Sequence, residues 1–439
     1  MIDISALTPG KPFRIARATV PACLIEGHVP GLPDADGLVS VDIDIADGRI
    51  FAINEAGATV DHAPAIDLDD GMVWPCFADI HTHLDKSHIW PRKRNPDGSR
   101  PSAIKASEED RLVNWSAADV RARMEFSLRC AYAHGTAAIR THIDSQPEQY
   151  EISWRVLQEV QAAWKDRIQL KGVSLQHAGG FKDKGWAVAV ADTVKDVGGL
   201  LGAVLNIQDN TEEMLDLVIG LAIERGLDLD FHVDEAGDPN AKSFDAVARA
   251  LIRNKFGRRV NVGHCCALAL RPEAEVARAL DLAAEANMTV TSLPMVNQFL
   301  QDRVPGRTPR WRGPTVLHEL KARGIPVILS SDNSRDPFFA YGDLDGIEVF
   351  SQAVRIGHLD YPVGDWPLAL TTTPADLMGY PDVGRIRVGG PADLVLLTAR
   401  DYGELIPRPQ ADRVVLREGV AIDTTPPDYR ELDGVLGRA

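Results

Sequence analysis

The sequence predicts an α/β protein: a (β/α)8 barrel with a small β-sandwich domain built from both chain ends. Three observations predict it. Strand-like apolar runs alternate with amphipathic helical stretches through the middle of the chain. Four runs end on histidine or aspartate: Asp79-Ile80-His81-Thr82-His83-Leu84-Asp85, Phe231-His232-Val233-Asp234-Glu235, Gly263-His264-Cys265 and Ser330-Ser331-Asp332-Asn333. The span from His81 to Asp332 matches the ~250 residues typical of such a barrel, which places functional residues at the C-terminal ends of its strands.

Taken in order, residues 14–72 hold short β runs and turns. Val41–Ile45 followed by Ala46-Asp47-Gly48-Arg49-Ile50 predicts a hairpin, because Asp-Gly suits the positive φ of a two-residue turn. A second set of β runs lies at 392–422, in Ala392–Leu397 and Arg413–Gly419. The two sets are expected to form one small β-sandwich domain, 1–72 plus 385–439, interrupted by a barrel at 73–384. Barrel strands are expected to end near His83, Asp144, His177, Gln208, Glu235, His264, Pro294 and Asp332. Helices are expected at Ala117–Tyr132, Glu148–Lys165, Thr211–Arg225, Phe244–Asn254, Pro272–Ala286 and Thr315–Ala322. Two long loops, 87–115 and 295–314, follow the first and seventh strands and carry arginines that suit solvent, a subunit contact or an acidic substrate.

Composition narrows the function. Hydrophobic residues make up 45% and charged residues 25% of 439, an ordinary globular balance. A net charge of −16 repels a nucleic-acid backbone. No run approaches the ~20 apolar residues of a membrane span, and Met1-Ile2-Asp3-Ile4-Ser5 is no signal peptide, so a cytoplasmic enzyme without nucleic-acid or membrane partners is expected. Five scattered cysteines fit reduced thiols better than a disulfide framework. Cys265 and Cys266, adjacent in the chain, face opposite ways on a strand and are poor joint ligands.

The H-x-H spacing has a mechanical reason: side chains alternate along a strand, so His81 and His83 point to the same side and one cation can take both. Alone, such a pair reads equally as solvated or core histidines. His232 and Asp332, each closing a β-like run, change that reading, because imidazole and carboxylate together suit zinc or ferrous iron.

His81-Thr82-His83-Leu84-Asp85-Lys86, Arg140-Thr141-His142-Ile143-Asp144, His232-Val233-Asp234-Glu235 and Ser331-Asp332-Asn333-Ser334-Arg335-Asp336-Pro337 together resemble the amidohydrolase superfamily, and within it the group of cytosine deaminase and N-isopropylammelide hydrolase. The resemblance spans roughly residues 10–425. It implies one divalent ion per chain, Zn²⁺ or Fe²⁺, held by His81, His83, His232 and Asp332. It also implies that Asp332 takes the proton of the attacking water, that Glu235 shuttles a proton to a ring nitrogen, and that His264 hydrogen-bonds the attacking oxygen. The two-metal branch of the superfamily uses a carboxylated lysine at the end of strand four, and the expected strand four, Leu200–Gln208, has none. On spacing alone, Glu235 is equally a surface carboxylate, while for His264 a satisfied core histidine is the lesser alternative. Arg140, His142 and Asp144 are read as a network that orients the ligands.

Substrate identity is less determined. The resemblance places His177 where cytosine deaminase has a substrate-reading glutamine, with Gln176 one position earlier and so expected on the opposite face. Asn333 and Phe338 replace an aspartate and a tryptophan. His177, Asn333 and Phe338 are therefore the candidate substrate-binding residues. The expected function is hydrolytic deamination of a small aminated heterocycle, cytosine deaminase-like, with a pterin, an amino-triazine, a creatinine-like ring or an N-substituted amine as further candidates. The alternative is an N-alkyl amine or amide hydrolase of the N-isopropylammelide hydrolase type. Members of the family commonly form oligomers, which implies a homo-oligomer.

Overall fold

The structure is a computed structural model that describes residues 2–4, 10–58, 64–205, 211–409 and 413–438. The chain divides into two compact units: residues 1–80, 129–138 and 344–427, and residues 81–128, 139–343 and 428–439. This division differs from the limits expected from sequence. Residues 344–384 group with the chain ends, and 428–439 group with the central segment, where Tyr429 Oη donates to Asp343 Oδ1 at 2.9 Å.

The first unit holds two four-stranded sheets. One runs Arg49–Glu55, Leu38–Ala46, Phe13–Pro21, Ala65–Asp67. The other runs Val420–Ala421, Arg413–Arg417, Leu394–Leu397, Val73–Pro75, so segments from both chain ends share a sheet. The predicted hairpin is present: Leu38–Ala46 pairs antiparallel with Arg49–Glu55 across Asp47 and Gly48, whose φ values of 50° and 74° fit the Asp-Gly turn. Alternation along these strands buries Ile15, Val41, Ile43, Leu394, Leu396 and Leu416 in one apolar cluster, the burial that stabilises the unit.

Among the described residues, eight strands carry the chain from 77 to 329: Phe77–Thr82, Thr136–Asp144, Gln169–Leu175, Leu201–Leu205, Leu229–Val233, Val260–His264, Met288–Ser292 and Val327–Leu329. The first three form one sheet, and the last five form a second, parallel throughout. Parallel bridges link the two sheets on both sides, Val173 to Leu200 and His177 to Val204 on one, Thr82 to Asp332 on the other. Near-continuous burial along each strand is the signature of sheets covered on both faces. Residues 206–208 of the expected fourth strand lie outside the described residues. The expected loop 87–115 is largely a helix, Arg100–Asn114, capped by Ser99 with Pro101 in its first turn. No helix among the described residues is long and apolar enough to cross a membrane.

Candidate active site

Strand ends bring the histidines and Asp332 together. His81 Nε2 lies 3.1 Å from His232 Nε2, His232 Nε2 lies 3.3 Å from His83 Nε2, and His83 Nε2 lies 3.2 Å from Asp332 Oδ1. His81 Nε2 is 3.7 Å from the same oxygen. Four donors at about 2.1 Å from one ion in a tetrahedron stand about 3.4 Å apart, so these spacings suit a single cation of zinc size. Both Asp332 oxygens are buried without a hydrogen-bond partner, as are the Nδ1 atoms of His83 and His232. Burial drives His81, His83 and His232 well below the usual histidine range, and drives the Asp332 carboxyl well above its own, with Glu235 adding to the Asp332 shift. Neutral imidazoles around a buried carboxyl group without a hydrogen-bond partner form a donor set that a divalent cation satisfies, the cation taking the place of the proton that burial favours.

His142 joins this cluster, its Nε2 3.2 Å from His81 Nδ1. His81, His142 and His232 also lie close enough to form a ligand trio, so His142 is a second neighbour of the same site. Behind it, Arg140 pairs with Asp230, Asn261 Nδ2 donates to both Asp230 oxygens at 3.1 Å, and Thr291 Oγ1 donates to Asn261 Oδ1 at 2.8 Å. Asp144 does not join that network. It lines the cavity instead, 2.8 Å from Lys86 Nζ and 3.1 Å from Arg111. Among the described residues, neither Cys265 nor Cys266 belongs to a group able to hold a metal.

Glu235 reaches the site because the strand stops at Val233 and Asp234 takes a left-handed φ of 47°, which breaks the alternation that would point Glu235 away. Asp234 is held in that turn by the backbone N–H groups of Ser243 and Phe244, each 3.0 Å from its carboxylate. Asp332 and His264 have φ of 67° and 70°, strained values that cluster at functional strand ends. Glu235 Oε2 accepts from Arg100 Nε at 2.6 Å, and Glu235 Oε1 lies 3.7 Å from His264 Nδ1. Asn297 Nδ2 is 3.0 Å from His264 Nδ1, and His264 Nε2 is buried without a partner.

Of these groups Arg100, Glu235 and His264, together with His83 and His232, line a cavity of about 320 Å³ that also includes Lys86, Arg111, Gln176, His177, Asn333 and Phe338. His177 is exposed, and its Nδ1 accepts from Gly179 N at 3.2 Å, capping the short turn Ala178–Lys182. Gln176 was expected on the opposite face. It lines the same cavity, because the strand ends at Leu175 and alternation no longer governs 176 and 177. Its Oε1 accepts from Trp186 Nε1 at 2.8 Å, while its buried Nε2 has no partner. Asn333 Nδ2 donates to Asp336 Oδ2 at 2.6 Å, and Lys86 Nζ stands 5.4 Å from the centre of the Phe338 ring. Asp85 accepts from Asp144 N at 2.7 Å, and burial followed by the Asp144 charge pushes it up to about 7.

In the sequence Arg100 and Arg111 stand undistinguished among the arginines of the 87–115 loop, and Asn297 has no assigned role. The signal for the first two was present: Ser99, then Pro101, is a helix start, and 100, 104 and 111 fall on one helical face. Arg92 pairs with Asp110 and Asp119, and Arg303 donates to the Phe299 carbonyl, so these loop arginines serve local structure.

The amidohydrolase family model matches residues 101–421. A pterin deaminase of Rhizobium rhizogenes (strain K84) is 52% identical over 425 residues, covering 97% of each chain. An N-isopropylammelide isopropyl amidohydrolase of Pseudomonas sp. (strain ADP) is 27% identical over 369 residues, 82% of this chain and 87% of that one. In fold, the chain is similar to 5-methylcytosine deaminase from Klebsiella pneumoniae liganded with 5-fluorocytosine, with a TM-score of 0.80, 22% identity and coverage of 94% and 97%. It is likewise similar to N-isopropylammelide isopropylaminohydrolase from Burkholderia multivorans, with a TM-score of 0.75, 23% identity and coverage of 94% and 98%. The chain belongs to the amidohydrolase family and is a hydrolase of C–N bonds.

Proposed function

We propose that this chain is a metal-dependent hydrolytic deaminase of a pterin-like, aminated bicyclic heterocycle. The observation that carries the reading is the meeting of three imidazoles and one carboxylate beside a cavity that His83, His232, Glu235 and His264 line, and the extended identity to a pterin deaminase directs it toward pterins. The reading takes the eight strands as one closed (β/α)8 barrel, for which the bridges on either side of the two sheets argue, and the chain-end sheets as a small β-sandwich.

His81, His83, His232 and Asp332 hold the ion, and their nitrogen and oxygen donors favour Zn²⁺ or Fe²⁺ over the all-oxygen cages of calcium or magnesium. When bound, the cation lowers the pKa of water from about 15.7 toward about 7 and supplies a nucleophile near neutrality. Asp332 accepts the proton of the attacking water. Glu235, held by Arg100, delivers a proton to the ring nitrogen beside the amine-bearing carbon and makes that carbon electrophilic. His264, whose Nδ1 lies 3.7 Å from Glu235 and 3.9 Å from Asp332, hydrogen-bonds the oxygen entering the ring. Water oxygen becomes the new ring carbonyl, and the amino group departs with a proton as ammonia. Lys86, Gln176, Asn333 and Phe338 are placed to orient the ring, and His177 stands at the exposed side of the cavity.

Ammonia release from pterin, isocytosine, cytosine and creatinine, beside isopropylamine release from N-isopropylammelide, tests the reading. Pterin is expected to give ammonia with kcat/KM at least about tenfold above cytosine, a difference of about 1.4 kcal/mol in transition-state binding. Isopropylamine from N-isopropylammelide with no ammonia from pterin would overturn it.

A further inference from the structure

A second cavity, of about 190 Å³, is closed by the C-terminal turn 429–438 against the segments that follow His83 and Asp332. His88 lines it and is only 1% exposed, yet neither ring nitrogen has a hydrogen-bond partner. Buried polar groups are normally paired, and leaving one unpaired costs stability, so such a side chain marks a place where a partner fits. The residue is also held in a left-handed conformation, φ 66°, by His88 N donating to Ser334 O at 3.0 Å. Arg335, another left-handed residue at φ 50°, lies across the cavity with its guanidinium 3.9 Å over the Tyr429 ring and its Nε without a hydrogen-bond partner.

Charge and shape narrow the occupant. Three arginines line the cavity against one acid, Asp433; Arg430 is committed to Asp428 and the nearby Asp343 accepts from Tyr429, so Arg335 and Arg438 outnumber Asp433 along the wall. Burial, with Arg335 as the next cause, drives His88 down to about 3, so its imidazole is neutral and offers one N–H. Pro91, Leu432 and Leu436 add an apolar wall that an inorganic ion would not use. We propose that this cavity binds a small organic anion, its carboxylate head toward Arg335, Arg438 and His88 and its apolar body on Pro91, Leu432 and Leu436. Trp90 N donates to Arg335 O at 2.8 Å, so the occupant would rest on the same backbone that leads away from Asp332.

Isothermal titration of benzoate into the full-length, metal-replete protein, at fixed ionic strength in chloride, tests the proposal. Saturable binding of one benzoate at this cavity is expected, weakened about tenfold or more by Arg335→Gln or Arg438→Gln, as loss of a charge-assisted contact predicts. It is also expected to weaken in His88→Leu and to be unchanged in Arg100→Gln, whose arginine lines the other cavity. The Arg438 variant lies on the exposed rim and keeps the test decisive if the buried His88 variant does not fold. Heat no greater than that of added chloride would overturn the proposal. So would binding that survives Arg335→Gln but is lost in Arg100→Gln, or phosphate binding as tightly as benzoate.

Discussion

Gly263 sits where any side chain would strike the imidazole of His81, one of the proposed metal ligands. A Cβ placed there would lie 2.7 Å from His81 Cε1 and 3.0 Å from His81 Nδ1, closer than such contacts allow. Gly263→Ala must therefore push His81 aside or tilt its ring, and the metal site feels either change. Metal affinity is expected to fall about 10- to 100-fold, the usual cost of disturbing what orients a ligand; competition against a chelator would show it, and an unchanged affinity would contradict the placement. The four proposed ligands were legible in the sequence because strand spacing and residue type carry the signal. Gly263 stood in the same motif unnoticed, since a glycine's reason lies in what packs across from it. His142 was legible as a neighbour of the ligands, and its closeness to His81 comes only with the register between strands one and two.

The helix Arg100–Asn114 is the element that most changes the reading of the site. Its composition hid it: a helix with one face on a polar cavity carries Arg100, Ser107, Glu108 and Arg111 there, so no apolar stripe marks it. Its first residue fixes Glu235 by an ion pair that is nearly buried on the glutamate side. Arg100→Gln is expected to lower kcat for deamination by about tenfold to a hundredfold while metal content stays at the wild-type level, because the ligands do not touch Arg100. An unchanged kcat would show that Glu235 needs no help from this helix. The eight strands were readable from apolar runs, and their ends were not. Left-handed residues at Asp234, His264 and Asp332 bend the chain after each run, and alternation rules stop applying there. For that reason Glu235 faces the cavity against a strict reading of the pattern, and Gln176 does so because its strand ends at Leu175.

Over the whole molecule, one pattern links chain order to site: residues far apart in sequence, His81, His232 and Asp332, meet because parallel strands deliver their C-terminal ends to one place. The chain-end sheets were likewise legible, from the Asp47-Gly48 hairpin and the apolar runs near 394 and 414. Their grouping with 344–384 was not legible, since that stretch has helical rather than β character. The central claim is that one cation, held by His81, His83, His232 and Asp332, drives deamination. It is tested most directly by titrating Zn²⁺ or Fe²⁺ into chelator-stripped protein while following ammonia release from pterin. Activity is expected to be absent without metal, to rise linearly and to break at one equivalent per chain, with Asp332→Ala inactive throughout. Ammonia release that survives complete metal removal, or a break at two equivalents, would contradict it.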